Sequence, residues 1–369
     1  MIVKKICLTP YAIPFRKKFS SATAEIRTRR GLVVELTTDR GTGLGDMSPH
    51  PALADAEWAQ FLEVARAAAH SLVGGGVDSP EHMDWSGVVI GAGSGAACGS
   101  PSAVAMGLDM ALYDLSARTV GSRLAEFLSQ EARPEIRCSG LVEGDTPLET
   151  AKALVANGYR IAKMKAHKDP FETQRALRAL REAVPELRLR LDVNGAWDTA
   201  AAVEFCRGLP ASALEWIEQP VAPGDFAGLR AVRETGVRVA ADESVGSASD
   251  VADLVSEQTA DVIVLKLMQV GGLAAALRAA REARRHGLEI CLTTGLDCSI
   301  ATAAVMHLSA ALRPENASGF STLSLLQGDL VAAKLTDGPW MEVPNGDGLG
   351  VTLDPTSGFL GTAEVYARA

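Results

Sequence analysis

From about residue 136 the chain settles into a regular rhythm. Short apolar runs at 136–142, 160–165, 188–193, 214–218, 237–242, 261–266 and 288–294 each precede a stretch with apolar residues at helical spacing. Seven strand–helix units of nearly uniform period predict a (β/α) barrel rather than a doubly wound sheet. An eighth strand near Ser318–Leu323 would close it, giving a (β/α)7β-type TIM barrel over 131–335. Thr146-Pro147-Leu148-Glu149 offers one helix a capping box with proline at its first position.

Upstream the pattern is different. Residues 2–9 and 31–38 read as strands, and 54–73 and 102–119 carry apolar positions at helical spacing. Pro14–Ser20 reads as a polar loop with two aromatics, and Gly43–Pro51 as a second loop rich in turn formers. Together these elements predict an α+β capping domain over 1–130, completed by the C-terminal segment 336–369. The Gly/Ser/Ala-rich stretch 91–101 reads as a flexible connection. Its Gly91-Ala-Gly93-Ser-Gly95 lacks the βαβ surroundings and the spaced acidic residue of a dinucleotide loop.

The polar residues that interrupt the apolar runs carry the chemistry. In Ile161-Ala162-Lys163-Met164-Lys165, strand alternation points both lysines to one face and Ala162 and Met164 to the other. Paired ammonium groups on a buried face disfavour each other's charge, which suits a lysine to proton transfer near neutral pH. Lys165, Asp192, Glu218, Asp242 and Lys266 then follow at steps of 27, 26, 24 and 24 residues, about one strand–helix unit each. Each falls at the C-terminal end of its strand, the face where barrel enzymes do chemistry. Three acids on adjacent strands would repel one another, and a hard divalent cation such as Mg²⁺ removes that penalty. Lysines on strands two and six flank the acids, an arrangement suited to removing a proton next to a carboxylate.

Composition narrows the partners. Over 369 residues the chain is 47% apolar and 22% charged, with a net charge of −9. That balance and the lack of a basic run with interleaved aromatics argue against nucleic acid. No run approaches the roughly 18 apolar residues of a membrane helix, and the N-terminus lacks the features of a signal peptide. The six cysteines form no CxxC pair and read as reduced thiols. The expectation is a cytoplasmic enzyme acting on a small carboxylate, with no membrane or nucleic-acid partner and compatible with a homo-oligomer.

Lys163-x-Lys165, Asp192-x-Asn194, Glu218-Gln-Pro, Asp242-Glu-Ser and Lys266 with Gly271-Gly272 resemble the enolase superfamily, muconate-lactonizing subgroup. The resemblance implies Mg²⁺ (Mn²⁺ able to substitute) on Asp192, Glu218 and Asp242, with Lys165 as acid/base. It implies that Lys163 lowers the Lys165 pKa or touches the substrate carboxylate. Lys266 would be a second acid/base or a cation stabilising the intermediate. Loops around Phe15–Phe19 and Pro49–Pro51 would drape over the substrate. Asn194, Arg190, Glu243, Asp297, Ser299, Phe19 and His50 are the candidates to line that substrate or support the ligands.

Within the subgroup, Gly45-Asp-Met-Ser-Pro-His-Pro, Thr293-Thr-Gly-Leu-Asp297-Cys-Ser299 and Ser318-Gly-Phe-Ser-Thr-Leu are similar to o-succinylbenzoate synthases, although Asp46 and His50 depart from the synthase loop. Dipeptide epimerases usually carry Asp-x-Asp on the eighth strand, where this chain has Ser and Thr. Lys266-Leu-Met-Gln-Val-Gly-Gly is closer to epimerases and cycloisomerases. The expected activity is therefore o-succinylbenzoate synthesis in the menaquinone pathway. The alternatives are N-acylamino acid racemisation, dipeptide epimerisation or muconate-type cycloisomerisation. A Schiff-base aldolase has no use for three acids in register, and a non-catalytic barrel has no use for them either.

Overall fold

A computed structural model describes residues 1–20, 25–83, 85–90, 100–143, 146–210 and 212–368, leaving aside the side chains of 18–20, 25, 86, 90 and 100. The chain opens with a long antiparallel hairpin, β1 (Val3–Ser20) and β2 (Glu25–Thr38), followed by β3 (Gly41–Met47). Pro14–Ser20 is thus not a loop. It continues β1, with Pro14 opposite Thr28 and Phe19 opposite Ile26 across a bulge. The Gly43–Pro51 reading also changes, because Gly43 and Gly45 lie within β3 against a helix backbone. A Cβ on them would stand 1.9 Å from the Ala111 carbonyl oxygen and 2.1 Å from that of Gly107. These glycines permit close sheet–helix approach rather than a turn.

Helices α1 (Asp55–Leu72) and α2 (Trp85–Ile90) precede α3 (Ser100–Thr119), which is apolar around its circumference because two sides are buried. Val104, Leu108 and Leu112 join the core under the N-terminal sheet, while Met106, Met110 and Tyr113 join that of the barrel. Its buried acids stitch the seam. Asp114 accepts the N–H groups of Leu44 (2.8 Å) and Leu349 (2.7 Å), and Asp109 those of Trp85 Nε1 (2.9 Å) and Ala274 (3.1 Å). The 91–99 part of the Gly-rich stretch lies outside the described residues, as does Cys98. The other five cysteines are buried and unpaired.

After α4 (Leu124–Leu128) and β4 (Glu135–Arg137) come the barrel strands: β5 (Gly140–Val142), β6 (Ile161–Lys165), β7 (Arg188–Asp192), β8 (Trp216–Glu218), β9 (Val239–Ala241), β10 (Val262–Leu265) and β11 (Glu289–Leu292). Each pairs in parallel with the next. Single parallel bridges from Cys138 to Ser318 and from Thr293 to Gly319 complete the circuit. The expected eighth strand is therefore two residues long, and Leu323–Leu325 is already a 3-10 turn. The expected first strand breaks at Cys138-Ser139 because β4 turns away to pair with β12 (Trp340–Glu342). The helices between strands are α5 (Pro147–Ala156), α6 (Pro170–Ala183), α7 (Thr199–Arg207), α8 (Phe226–Arg233), α9 (Ala248–Ser256), α10 (Leu267–Val270), α11 (Leu273–Arg285) and α12 (Ser299–Leu312). Thr146 does precede α5 with Pro147 at its start, but no side-chain cap forms; Thr146 faces the Thr150 hydroxyl instead. A last strand, β13 (Glu364–Ala367), returns to the outer edge of β1.

Alternation sorts the strand residues. Ala162, Met164, Leu189, Leu191, Ile217, Ile263 and Leu265 pack outward beneath the helices, whereas Trp216, Ala240, Val262, Val264 and Cys291 form a small separate core. The inward positions one step nearer the strand ends are the polar ones. No helix among the described residues is long and apolar enough to cross a membrane.

Candidate active site

Register places the polar residues side by side. Lys165 pairs with Asp192 and Asp192 with Glu218 as backbone neighbours on β6, β7 and β8. Asp242 follows β9 by one residue, and Lys266 follows β10 by one residue. Lys163 Nζ lies 2.7 Å from Asp192 Oδ2 and 3.1 Å from Glu218 Oε1, and Lys266 Nζ is paired with Asp242 Oδ2. Two sharp turns keep these strand ends in place. Asn194 (φ 49°) and Gln219 (φ 39°) both adopt the left-handed conformation that disfavours residues with a side chain.

Burial and neighbouring charge divide the titratable groups. Burial works against the Lys163 charge, but Asp192, Glu218 and Asp242 outweigh it and push its pKa well up. For Lys165 burial comes first and lowers the pKa; Asp192 opposes it, the Lys163 cation adds to it, and the net shift is downward. Burial raises Glu218 to about 8, with Asp192 and Asp242 adding and Lys163 opposing. Glu243 is likewise pushed to about 7, chiefly by burial and by Asp242 beside it. Lys266 holds Asp242 down against its own burial.

As placed, no three His, Cys, Asp or Glu side chains among the described residues are grouped to hold a metal ion, because ammonium groups stand between the acids. The donor chemistry nevertheless fits a hard divalent cation. Asp192, Glu218 and Asp242 offer an all-oxygen set from adjacent strands, and Asp242 Oδ1 is buried without a hydrogen-bond partner. A cation there would relieve the mutual repulsion that helps raise Glu218.

The supporting candidates fare differently. Asn194 donates its backbone N–H to Asp192 Oδ1 (3.0 Å) and its amide to Glu243 Oε1 (3.1 Å), bracing two acids. Arg190 faces inward but one layer down, stacked 3.8 Å over the Trp216 ring. It pairs with Glu215 (2.7 Å) and the Ala317 carbonyl (2.8 Å), so it holds neither a ligand acid nor a substrate carboxylate at the mouth. Ser299 is fully buried, and its N–H and hydroxyl both go to Asp329, which secures the start of α12; it does not line a pocket. Asp297 is buried against Arg29 at 2.8 Å, which makes it a support. His50 is half-buried with Nδ1 accepting the Ala52 N–H. The Phe19 side chain lies outside the described residues.

Two residues escaped sequence reasoning. Gln219 has all four of its amide hydrogen-bonding positions filled. Its Oε1 accepts from the N–H groups of Asp242 (3.1 Å) and Ser244 (3.2 Å), and its Nε2 donates to the Val221 carbonyl (3.0 Å) and Ser244 Oγ (2.9 Å). Its place between Glu218 and Pro220 was the available signal. Arg29, the other, gave no local signal at all.

The same fold occurs in known proteins. A dipeptide epimerase from Enterococcus faecalis V583, solved with Mg and the dipeptide L-Leu-L-Tyr, superposes with a TM-score of 0.84 at 26% identity, covering 95% of this chain and 100% of that one. A chloromuconate cycloisomerase of Cupriavidus necator is 32% identical over 67% of this chain and 69% of its own length. An o-succinylbenzoate synthase of Thermobifida fusca is 38% identical over 54% of this chain and 63% of its own. Residues 147–357, the part that carries every acid and lysine of the mouth, match the family described as enolase C-terminal domain-like. With that match lying over a barrel whose strand ends bear the expected acids and lysines, the chain belongs to the enolase superfamily and is an enzyme of that superfamily.

Proposed function

We propose that the protein is a Mg²⁺-dependent lyase that dehydrates succinyl-hydroxycyclohexadiene carboxylate to o-succinylbenzoate, a step of menaquinone synthesis. The observation that carries the chemistry is the row of three buried acids, Asp192, Glu218 and Asp242, on adjacent strands with Lys163 and Lys165 on one side and Lys266 on the other. With Lys165 neutral, as a base must be, Lys163 and Lys266 bring two positive charges against four negative ones when Asp192, Glu218, Asp242 and Glu243 are all ionised. A divalent cation offsets that net −2 and lets a substrate carboxylate be seated among the acids. Asp192, Glu218 and Asp242 would hold Mg²⁺, with Mn²⁺ able to substitute, and the ion supplies Lewis-acid charge to the substrate carboxylate.

Lys165 Nζ takes the proton from the carbon α to the carboxylate, and the electrons of that C–H bond become enediolate charge. Lys266 faces this charge from the far side as an ammonium. As the carbon–oxygen bond breaks, protonated Lys165 returns its proton to the departing hydroxide, releasing water. Support for this substrate comes from the 38% identity to a synthase and from Ser318-Gly-Phe-Ser-Thr on the last strand, which offers no carboxylate for a substrate ammonium.

Diene absorbance followed with Mg²⁺, then with EDTA, tests the reading. Metal-dependent loss of absorbance is expected, and no turnover of this substrate would sink it. Racemisation of an N-acylamino acid or epimerisation of a dipeptide stands second, favoured by Lys266 standing across from Lys165 as a second base would. Deuterium wash-in at Cα from both stereoisomers would identify it.

A further inference from the structure

Beside the barrel mouth, β2, the 48–51 loop and the turn after β11 share one side chain. Arg29 is fully buried. Its Nη2 donates to Asp297 Oδ1 at 2.8 Å, and its Nη1 donates to the Pro49 carbonyl. Ser48 Oγ donates to the same Asp297 oxygen at 3.3 Å, while Asp297 Oδ2 accepts the Gly295 N–H at 2.8 Å. One guanidinium–carboxylate pair therefore sets both the fold of the 295–297 turn and the place of the 48–51 loop, across 268 residues of sequence.

Both segments abut the acid–lysine cluster. A Cβ on Gly295 would stand 2.3 Å from Met268 Sδ, so the turn is packed on the residues just after Lys266. The loop carries His50, which lies near enough to Lys266 and Asp242 to feel their charge. Loops already ordered before a ligand arrives spare it the entropy of ordering them.

We propose that Arg29 is a positioning residue of this site. Through Asp297 and the Pro49 carbonyl it holds the 48–51 loop and the 294–297 turn as one wall of the mouth. It thus sets how tightly substrate is held rather than how fast the proton moves. The assignment rests on the reading of the barrel mouth as the active site.

Arg29→Met alone strands Asp297 as a buried lone carboxylate and is prone to misfold. The informative variant is therefore Arg29→Met with Asp297→Asn, which removes both charges at similar volume. Arg29→Lys, which keeps the charge but loses the two-pronged geometry, is the fallback if that variant does not fold. Amide hydrogen exchange read by mass spectrometry needs no substrate. Exchange at 48–52 and 294–298 should quicken by about tenfold or more. Steady-state kinetics on succinyl-hydroxycyclohexadiene carboxylate, or on N-succinyl-L-phenylalanine, should show KM raised about tenfold with kcat within about twofold. Wild-type exchange in the two segments, a wild-type KM, or a fall in kcat alone would each overturn the assignment. If the wild-type protein turns over neither compound, the reading of the site fails; the exchange result then stands alone and decides whether Arg29 ties the two segments.

Discussion

Lys163 Nζ sits 2.7 Å from Asp192 Oδ2, and that contact separates the fates of two lysines that share one strand face. Lys163, also 3.1 Å from Glu218, is kept an ammonium by the acids around it. Lys165 lies two residues further on, where burial and the Lys163 cation favour the neutral amine and outweigh the pull of Asp192. One lysine is thereby held as a charge, and the other is biased toward the neutral form that the proposed base requires.

If Asp192, Glu218 and Asp242 hold Mg²⁺, the ion stabilises the fold. At a hundredfold excess over Kd the gain is about 2.7 kcal/mol, read as an upward Mg²⁺-dependent shift in Tm. In Asp242→Asn the basal Tm also falls, because Lys266 loses its buried partner, so the Mg²⁺-induced increment is the quantity to compare. It should vanish in the variant. A wild-type Tm indifferent to Mg²⁺ contradicts the assignment.

Gln219→Ala removes the acceptor for the Asp242 and Ser244 N–H groups and the donor to the Val221 carbonyl. Each buried group left unpaired costs about 1–3 kcal/mol. Calorimetry should show a Tm lower by about 4 °C or more and weaker Mg²⁺ binding, since Asp242 loses its backbone anchor. Unchanged Mg²⁺ affinity would make Gln219 a purely structural residue.

Arg190→Met takes from the buried Glu215 its 2.7 Å partner and leaves it only the exposed Arg188 at 3.5 Å, so the cost approaches but stays below the roughly 3–5 kcal/mol of a buried charge with no partner. Stability measured in urea should drop while KM stays near wild type. A large rise in KM would instead place Arg190 on the substrate carboxylate.

His307 is fully buried. Its Nδ1 accepts the Ala125 N–H at 3.1 Å, which leaves Nε2–H to donate to the Leu349 carbonyl at 3.1 Å. Burial, helped by Arg123, lowers its pKa to about 4. The unfolded chain, with a histidine near 6.5, therefore takes up the proton first as pH falls. The penalty to folding grows from pH 6.5 down to about 4 and levels off below, reaching on the order of 3 kcal/mol. Asp109, raised to about 7 by burial, runs in the opposite sense, losing stability as pH rises toward 7, so the comparison must be with a variant. His307→Gln should show a flatter fall of Tm between pH 6.5 and 4.5. An unchanged slope would assign the pH dependence elsewhere.

What was legible in the sequence was periodic. One strand–helix unit per 24 to 27 residues put Lys165, Asp192, Glu218, Asp242 and Lys266 at successive strand ends, and alternation gave the inward face of Lys163 and Arg190. Alternation gives a face but not a partner, which is why Arg190 looked like a mouth residue although it belongs to Glu215 and Trp216. Gly43 and Gly45 looked like turn formers because a glycine admitting a neighbouring helix has the same letter as one in a turn. Arg29 and Asp297 meet across most of the chain, and no local pattern encodes such a pair.

The most direct measurement is the rate of diene loss with saturating Mg²⁺ in the wild type and in Lys165→Ala, using substrate protonated or deuterated at the carbon α to the carboxylate. With Lys165 as the base, wild-type kcat/KM lies above about 10⁴ M⁻¹s⁻¹ with a primary isotope effect. Lys165→Ala then loses at least about 10³-fold while keeping a wild-type circular dichroism spectrum. A Lys165→Ala variant that dehydrates the substrate at near wild-type rate would contradict the role of that lysine and the mechanism built on it.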